Sequence, residues 1–301
     1  MKEHKKTIGI VSPCSWMTQE YIDIASSFLE NHGFGVKVSQ QSFFQTGYTA
    51  GSDAQRINAI HEAFMDDEIN VVMCAKGGYG AIRIVDNIDF ELLNRYPKPF
   101  LGYSDATILD IAISLKAPNV PVFFAPHLLD IAYLNGDINH PTLQHLVNFL
   151  KGKEDTGVKN NLIKQSIVLK PGKAKGIITG GTLTISLTTL GTSTEVDTNG
   201  KILFFEEKKE FAFKVERLLF QLKRAGKLDN IKGVIVGKFY ETPEYHIPFD
   251  KTMDELVLDI FKDKDIPIIS NFPAGHCDIK MPLPFNKEVI IDTEKEIVVS
   301  F

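Results

Sequence analysis

The sequence predicts an α/β protein: an N-terminal doubly wound parallel-sheet domain followed by a β-rich C-terminal α/β domain. Three observations carry this. Through the first half, short apolar runs alternate with amphipathic helical stretches, the order of repeated βα units that assemble into a parallel sheet. The run Asn70 to Ala75 is apolar almost throughout, as a strand covered by helices on both faces must be. The stretch Lys151 to Gly157 is polar and glycine-bearing, the composition of a linker. The expected organisation is therefore 1–150, a linker over 151–165, and 166–301.

Taken in order, Thr7 to Val11 reads as a buried strand ended by Ser12-Pro13. Gln19 to Asn31 places Tyr21, Ile24, Ala25, Phe28 and Leu29 on one helical face before Gly33. Val36 to Val38 is a second strand, and Ala54 to Met65 a second helix after a polar stretch. The apolar run at 70–75 leads into Lys76-Gly77-Gly78-Tyr79-Gly80 and a helix from about Ala81 to Val85. A short strand ends at Gly102, and Thr107 to Leu115 is helical. Pro121 to His127 and a helix from Leu143 to Leu150 complete the first half. The second half has strands at Ser166–Leu169, Gly176–Gly181, Lys201–Phe205, Val234–Phe239 and Ile268–Phe272. Helices are expected at Leu183–Leu190 and Phe211–Ala225, the latter stopped by Gly226, and a closing β pair at Glu288–Ile291 and Ile297–Phe301.

Composition narrows the function. The 301 residues are 44% hydrophobic and 24% charged, ordinary for a globular protein with a sizeable core. A formal net charge of −5 argues against nucleic acid or an anionic membrane as partner, since both require clustered basic residues. The three cysteines, Cys14, Cys74 and Cys277, form no metal-ligand spacing, and an odd count fits reduced thiols in a cytoplasm. Ile8 to Val11 is too short for a signal sequence or a membrane span. No metal and no organic cofactor are expected, because no His-Glu-x-x-His, cysteine cluster or Asp-x-Asp run offers a first set of ligands. A homodimer is the expected assembly.

Chemistry concentrates at Phe100-Leu101-Gly102-Tyr103-Ser104-Asp105-Ala106-Thr107. A serine in a sharp strand-to-helix turn is lifted clear of the sheet and needs small residues two positions either side, here Gly102 and Ala106. At a helix N-terminus, backbone N–H groups favour developing negative charge. The competing reading is an ordinary N-cap serine. The glycines at 77, 78 and 80 lack both dinucleotide and P-loop spacing; they serve either a tight turn or an oxyanion-hole donor facing Ser104. A serine nucleophile needs a base and a group to orient it. Of the eight histidines, His276 beside Gly275 at a strand end is the base candidate, with His127 and His246 also possible. His4, His32, His61, His140 and His145 are assigned to solvated positions. Glu206 or Glu207 is the orienter, and strand alternation lets only one face the site unless a bulge intervenes. The alternative for this pair is a solvated strand end.

The segments Lys76 to Arg83, Pro97 to Asp105, Lys201 to Glu206 and Asn271 to His276, in this order, resemble the LD-carboxypeptidase family of serine peptidases, over nearly the full chain. The resemblance implies Ser104 as nucleophile, His276 as general base and Glu206 as its orienter. It also implies oxyanion donors from the backbones of Asp105 and Gly78, an active site between two domains, and cleavage of the L,D bond before a terminal D-alanine in cytoplasmic muropeptides. Lys76 stands where the family usually has arginine; it keeps the charge without bidentate recognition of a carboxylate. Lys280 stands where an asparagine is common four residues after the histidine. A branch of the family hydrolyses peptidyl-nucleotide antibiotics of the microcin C type, which is the alternative substrate; a non-catalytic small-molecule-binding protein is the third reading.

Overall fold

In the computed structural model, which describes residues 5–153, 163–294 and 297–300, the chain divides into two units. The first comprises Met1–Asp155 with Met281–Leu283, and the second Thr156–Lys280 with Pro284–Phe301. Most of the expected linker, 154–162, and Phe301 lie outside the described residues.

In the first unit, strands β1 (Thr7–Val11), β2 (Gly35–Val38), β3 (Val71–Cys74), β4 (Phe100–Gly102) and β5 (Val122–Phe124) form the sheet, and every pairing among them is parallel. Their spatial order is β2-β1-β3-β4-β5, with a short strand at Leu283–Pro284 on the β5 edge. Helices α1 (Gln19–Asn31), α2 (Asp53–Met65), α3 (Phe90–Arg95), α4 (Thr107–Lys116), α5 (Leu128–Tyr133) and α6 (Pro141–Leu150) fill the connections. Alternation sends Ile8, Ile10, Val71, Met73 and Leu101 toward α1, α5 and α6, in a core shared with Phe28, Leu29, Leu146 and Leu150. Phe100, on the opposite side, stacks with Phe64 of α2, their centroids 6.5 Å apart. The sheet is thus covered on both faces, and ligands of such sheets bind beyond the carboxyl ends of the strands. Thr18 caps α1, and a Ser52–Gln55 capping box starts α2.

The second unit is built on β6 (Ile167–Lys170), β7 (Lys173–Thr182), β8 (Ile202–Lys208), β9 (Gly233–Tyr240), β10 (Ile268–Ser270), β12 (Glu288–Asp292) and β13 (Val298–Ser300), the Leu283–Pro284 strand being β11. The order is β13-β12-β7-β8-β9-β10-β6, with parallel central strands β7 to β10 and antiparallel edges. Helices α7 (Leu183–Leu187), α8 (Ala212–Arg224) and α9 (Met253–Ile260) accompany it. Val215, Leu219 and Leu222 of α8 and Leu256, Val257 and Ile260 of α9 share a core with Leu203, Phe205, Val234 and Val236. Two α/β units are what the alternating pattern predicts.

Several local expectations are corrected. The helix expected at Ala81–Val85 is a pair of 3₁₀ turns, Ala81–Arg83 and Val85–Asn87. Its first residues are tied elsewhere: the Ala81 N–H donates to Asp105, and the Gly80 carbonyl accepts from Arg56. The expected helix Leu183–Leu190 stops at Leu187, where the Thr188 and Thr189 hydroxyls bond back to the Ile185 and Ser186 carbonyls and compete with helix continuation. Helices α3, α5 and α9 were not visible as periodic stretches because they span only six, six and eight residues.

Candidate active site

Ser104 follows the last residues of β4 after a fully extended Tyr103 and takes φ +62°, in the left-handed region that non-glycine residues avoid at a cost of about 1–3 kcal/mol. It is not an N-cap: the cap of the 3₁₀ turn Ser104–Ala106 is Tyr103, and that of α4 is Ala106. The end of β3 is pressed against this turn. A Cβ on Gly77 would stand 2.7 Å from Ser104 Cβ, 2.9 Å from its Oγ and 3.2 Å from the Asp105 amide nitrogen, so only glycine fits. Gly78 has φ +111°, and the next amide, that of Tyr79, donates to Ser15 Oγ at 3.1 Å. Asp105 is buried and accepts the Ala81 N–H at 3.0 Å, which fastens the glycine loop to the serine turn. Arg56, wholly buried, donates to the carbonyls of Pro13 and Gly80 and pairs with Asp53. Lys76, Gly78, Ser104 and Asp105 thus belong to one pair of adjoining strand ends.

Tyr103 is held on both its backbone and its ring. Its N–H donates to His127 Nε2 at 3.0 Å, its hydroxyl donates to Asp130 Oδ1 at 3.0 Å, and its ring stacks on His127 at 4.0 Å. His127 is consequently a buried acceptor beneath the turn. Asp110 of α4 lies under Gly102 with neither carboxyl oxygen hydrogen-bonded, and burial holds its carboxyl well above the usual carboxylate range. Burial, followed by the neighbouring Asp105, pushes the Cys14 thiol up, and burial does the same to Cys74.

In the second unit, Glu206 is completely buried on β8. Its Oε2 accepts both the His276 backbone N–H and His276 Nδ1, each at 2.8 Å, and its Oε1 accepts the Thr182 hydroxyl at 2.6 Å. An imidazole held this way through Nδ1–H presents Nε2 as its basic nitrogen. Glycine is again obligatory beside the pair: Gly275 has φ +89°, and a Cβ there would come within 2.4 Å of Glu206 Cγ. Glu207 is buried too, which overturns the solvated strand end as a reading. It accepts from the Thr184 N–H at 2.8 Å, the Thr184 hydroxyl and the Lys208 N–H at 2.9 Å, with its carboxyl raised chiefly by burial and partly offset by those donors. The β8–β9 register shifts between Phe205 and Glu207. Both glutamates are inside, and Glu206 alone of the two touches the histidine.

Other histidines have structural partners. His61 Nε2 accepts the Asp89 N–H, and His140 caps α6 by accepting from Thr142. His145, expected in solvent, is buried on the apolar side of α6. Ser15, Thr182, Asp130 and Asp110 were not singled out from the sequence as parts of this machinery, and His127, a possible base by sequence, is instead the buried acceptor of the Tyr103 N–H. Gly275 was visible as the neighbour of His276, but Thr182 lies 24 residues from Glu206 and carries no local signal. Among the described residues no group of three His, Cys, Asp or Glu side chains is placed to hold a metal ion, and no helix is long and apolar enough to cross a membrane.

Family models for the LD-carboxypeptidase N-terminal domain and C-terminal domain match residues 8–124 and 175–291. The chain belongs to the LD-carboxypeptidase family. Within the family it is 34% identical over 293 residues to a probable murein peptide carboxypeptidase of Bacillus subtilis, covering 97% of this chain and 91% of the relative. Among solved structures, a muramoyltetrapeptide carboxypeptidase from Oxalobacter formigenes has a TM-score of 0.82 at 24% identity, covering 98% of this chain and 97% of that one. The microcin C7 self immunity protein MccF in its wild-type apo state has a TM-score of 0.85 at 20% identity, covering 98% and 95%. Membership makes this LD-carboxypeptidase a serine-type carboxypeptidase hydrolase of the murein peptide group.

Proposed function

We propose that the chain hydrolyses the L,D peptide bond before a C-terminal D-amino acid in cytoplasmic murein peptides, with Ser104 as nucleophile, His276 as general base and Glu206 as its orienter. The observation that carries this reading is the strained Ser104 turn with Gly77 packed on its hydroxyl, a conformation with a cost that an ordinary cap would not require. In the proposed reaction Ser104 Oγ attacks the carbonyl carbon before the terminal residue, and its proton passes to His276 Nε2. Negative charge on the carbonyl oxygen is received by the Gly78 and Asp105 N–H groups. Collapse breaks the C–N bond, the leaving amine takes the proton from His276, and water then cleaves the acyl-serine by the same base. Glu206 keeps Nδ1 protonated and stabilises the imidazolium. Lys76 receives the terminal carboxylate that defines an exopeptidase substrate. Cys14, Cys74 and Cys277 as thiols outside any disulfide support a reducing compartment.

The test is incubation of the protein with stem tetrapeptides and measurement of released D-alanine, alongside mass detection of a serine-directed phosphonate on Ser104. Release with labelling at Ser104 is expected. Labelling without release from any stem peptide, but with turnover of a peptidyl-nucleotide, would replace the substrate and keep the mechanism. Neither release nor labelling would favour a non-catalytic binding protein.

A further inference from the structure

Lys76 lines a cavity of about 270 Å³ that lies wholly within the first unit, and its other walls are unusually aromatic. Trp16, Tyr21, Tyr48 and Tyr133 line it together with Ser15, the residue whose hydroxyl accepts the Tyr79 amide beside Gly78. The cavity therefore opens next to the glycine loop that abuts Ser104. Tyr48 and Tyr133 are its largely exposed walls, and hydrogen bonds and a ring contact hold the rest. Trp16 donates its indole N–H to the Gly47 carbonyl at 3.1 Å, and Gln41 beneath the loop carrying Tyr48 bonds the Ser12 and Ala50 carbonyls. Tyr21 and Tyr133 meet edge to face at 5.5 Å.

The charges single out one ligand group. Arg56 and Arg83 both pair with Asp53, whereas Lys76 makes no ion pair among the described residues, and no acidic residue lines the cavity. A cation placed beside a carboxypeptidase nucleophile faces the one group that is always anionic there, the α-carboxylate of the leaving residue. An alanine methyl occupies little of the remaining space. The volume lies just under the range of about 300–1,000 Å³ for pockets that take drug-sized ligands, and four aromatic walls suit a side chain larger than methyl.

Resting on the carboxypeptidase reading above, we infer that this cavity is the leaving-residue pocket and that the enzyme releases bulky apolar or aromatic D-amino acids, with the free carboxylate on Lys76, at least as well as D-alanine. Burial of a methionine- or phenylalanine-sized side chain there corresponds to a gain of about tenfold to hundredfold in binding.

Trp16 is the chain's single tryptophan, so its emission reports on this cavity alone. Free D-methionine titrated into the protein is expected to change that emission saturably, D-methioninamide to bind at least tenfold more weakly, and Lys76→Met to erase the difference. In turnover, stem tetrapeptides ending in D-methionine or D-phenylalanine are expected to match or exceed the D-alanine peptide in kcat/KM. Tyr133→Ala should lower kcat/KM for the D-methionine peptide at least tenfold more than for the D-alanine peptide. Turnover of the D-alanine peptide with a loss of a hundredfold or more for the bulky ones overturns the inference while leaving the carboxypeptidase reading intact. No turnover of any peptide, with a saturable emission change that prefers the carboxylate, overturns the carboxypeptidase reading and retains the pocket; absence of both overturns both.

Discussion

Replacing each of the two adjacent glutamates by glutamine separates catalysis from stability, because their hydrogen-bond partners differ in kind. Glu206 Oε2 accepts two N–H groups of His276, and Oε1 faces the Thr182 hydroxyl at 2.6 Å. A glutamine keeps the oxygen toward His276 and turns its NH₂ to Thr182, whose hydroxyl accepts as readily as it donates. Both His276 donors stay satisfied and only the Thr182 hydroxyl proton must exchange its acceptor, so the stability change should not exceed about 1–3 kcal/mol. What is lost is the negative charge that stabilises the imidazolium; in serine-protease triads the equivalent change lowers kcat by roughly 10⁴-fold. Glu207 has no hydroxyl on one side to adapt: one oxygen takes the Thr184 N–H and hydroxyl, the other the Lys208 N–H. A glutamine must turn its NH₂ toward a backbone N–H, leaving a buried donor unpaired at a cost of about 1–3 kcal/mol. That corresponds to a fall of roughly 2–10 °C in Tm. Glu207→Gln should accordingly melt earlier yet keep kcat within about threefold. The assay is kcat on one stem tetrapeptide and Tm by calorimetry for both variants. A kcat for Glu206→Gln within tenfold of the parent, or a severe loss confined to Glu207→Gln, would refute the reasoning.

Three further outcomes are expected. Ser104→Ala should retain the fold and lose roughly 10⁴-fold or more in kcat, since an alanine meets the same turn; more than a tenth of the activity remaining would remove Ser104 as nucleophile. Asp110 has its folded pKa raised, so the stability tied to its protonated form is complete below the ordinary value of about 4 and is lost as pH rises through the folded pKa, by about 1.4 kcal/mol per pH unit. Asp110→Asn should therefore be more stable than the parent at pH 8 but not at pH 4, and parallel stability-pH curves would contradict an isolated buried carboxyl. Turnover should survive exhaustive chelation, because the serine mechanism calls for no metal; loss with recovery on adding Zn²⁺ would require another mechanism.

The local periodicities of this sequence determined the alternating strands and helices of the first unit, down to α1 at Gln19–Asn31, because buried faces repeat every two or 3.6 residues whatever surrounds them. The same holds for the strand-to-helix turn at Ser104, whose small flanking residues are adjacent in the chain. Elements without a full period escaped: α3, α5 and α9 are too short, although the Thr252–Glu255 capping box marks the start of α9. The family resemblance pointed to Glu206, but periodicity left the choice between the two glutamates open, and the tertiary structure decided that both are buried while Glu206 meets the histidine. Strand alternation lets only one carboxylate face the site unless a bulge intervenes; β8 is central, covered on both faces, and its register shifts at that point, so both are inside. It also decided that Ser104 is left-handed, that Asp110 is buried without a partner in a helix that reads as ordinary, and that Thr182 and Gly275 close around Glu206. These features depend on contacts between residues 24 or more positions apart, or on burial, and neither leaves a periodic trace in the chain; only packing brings such groups within hydrogen-bond reach.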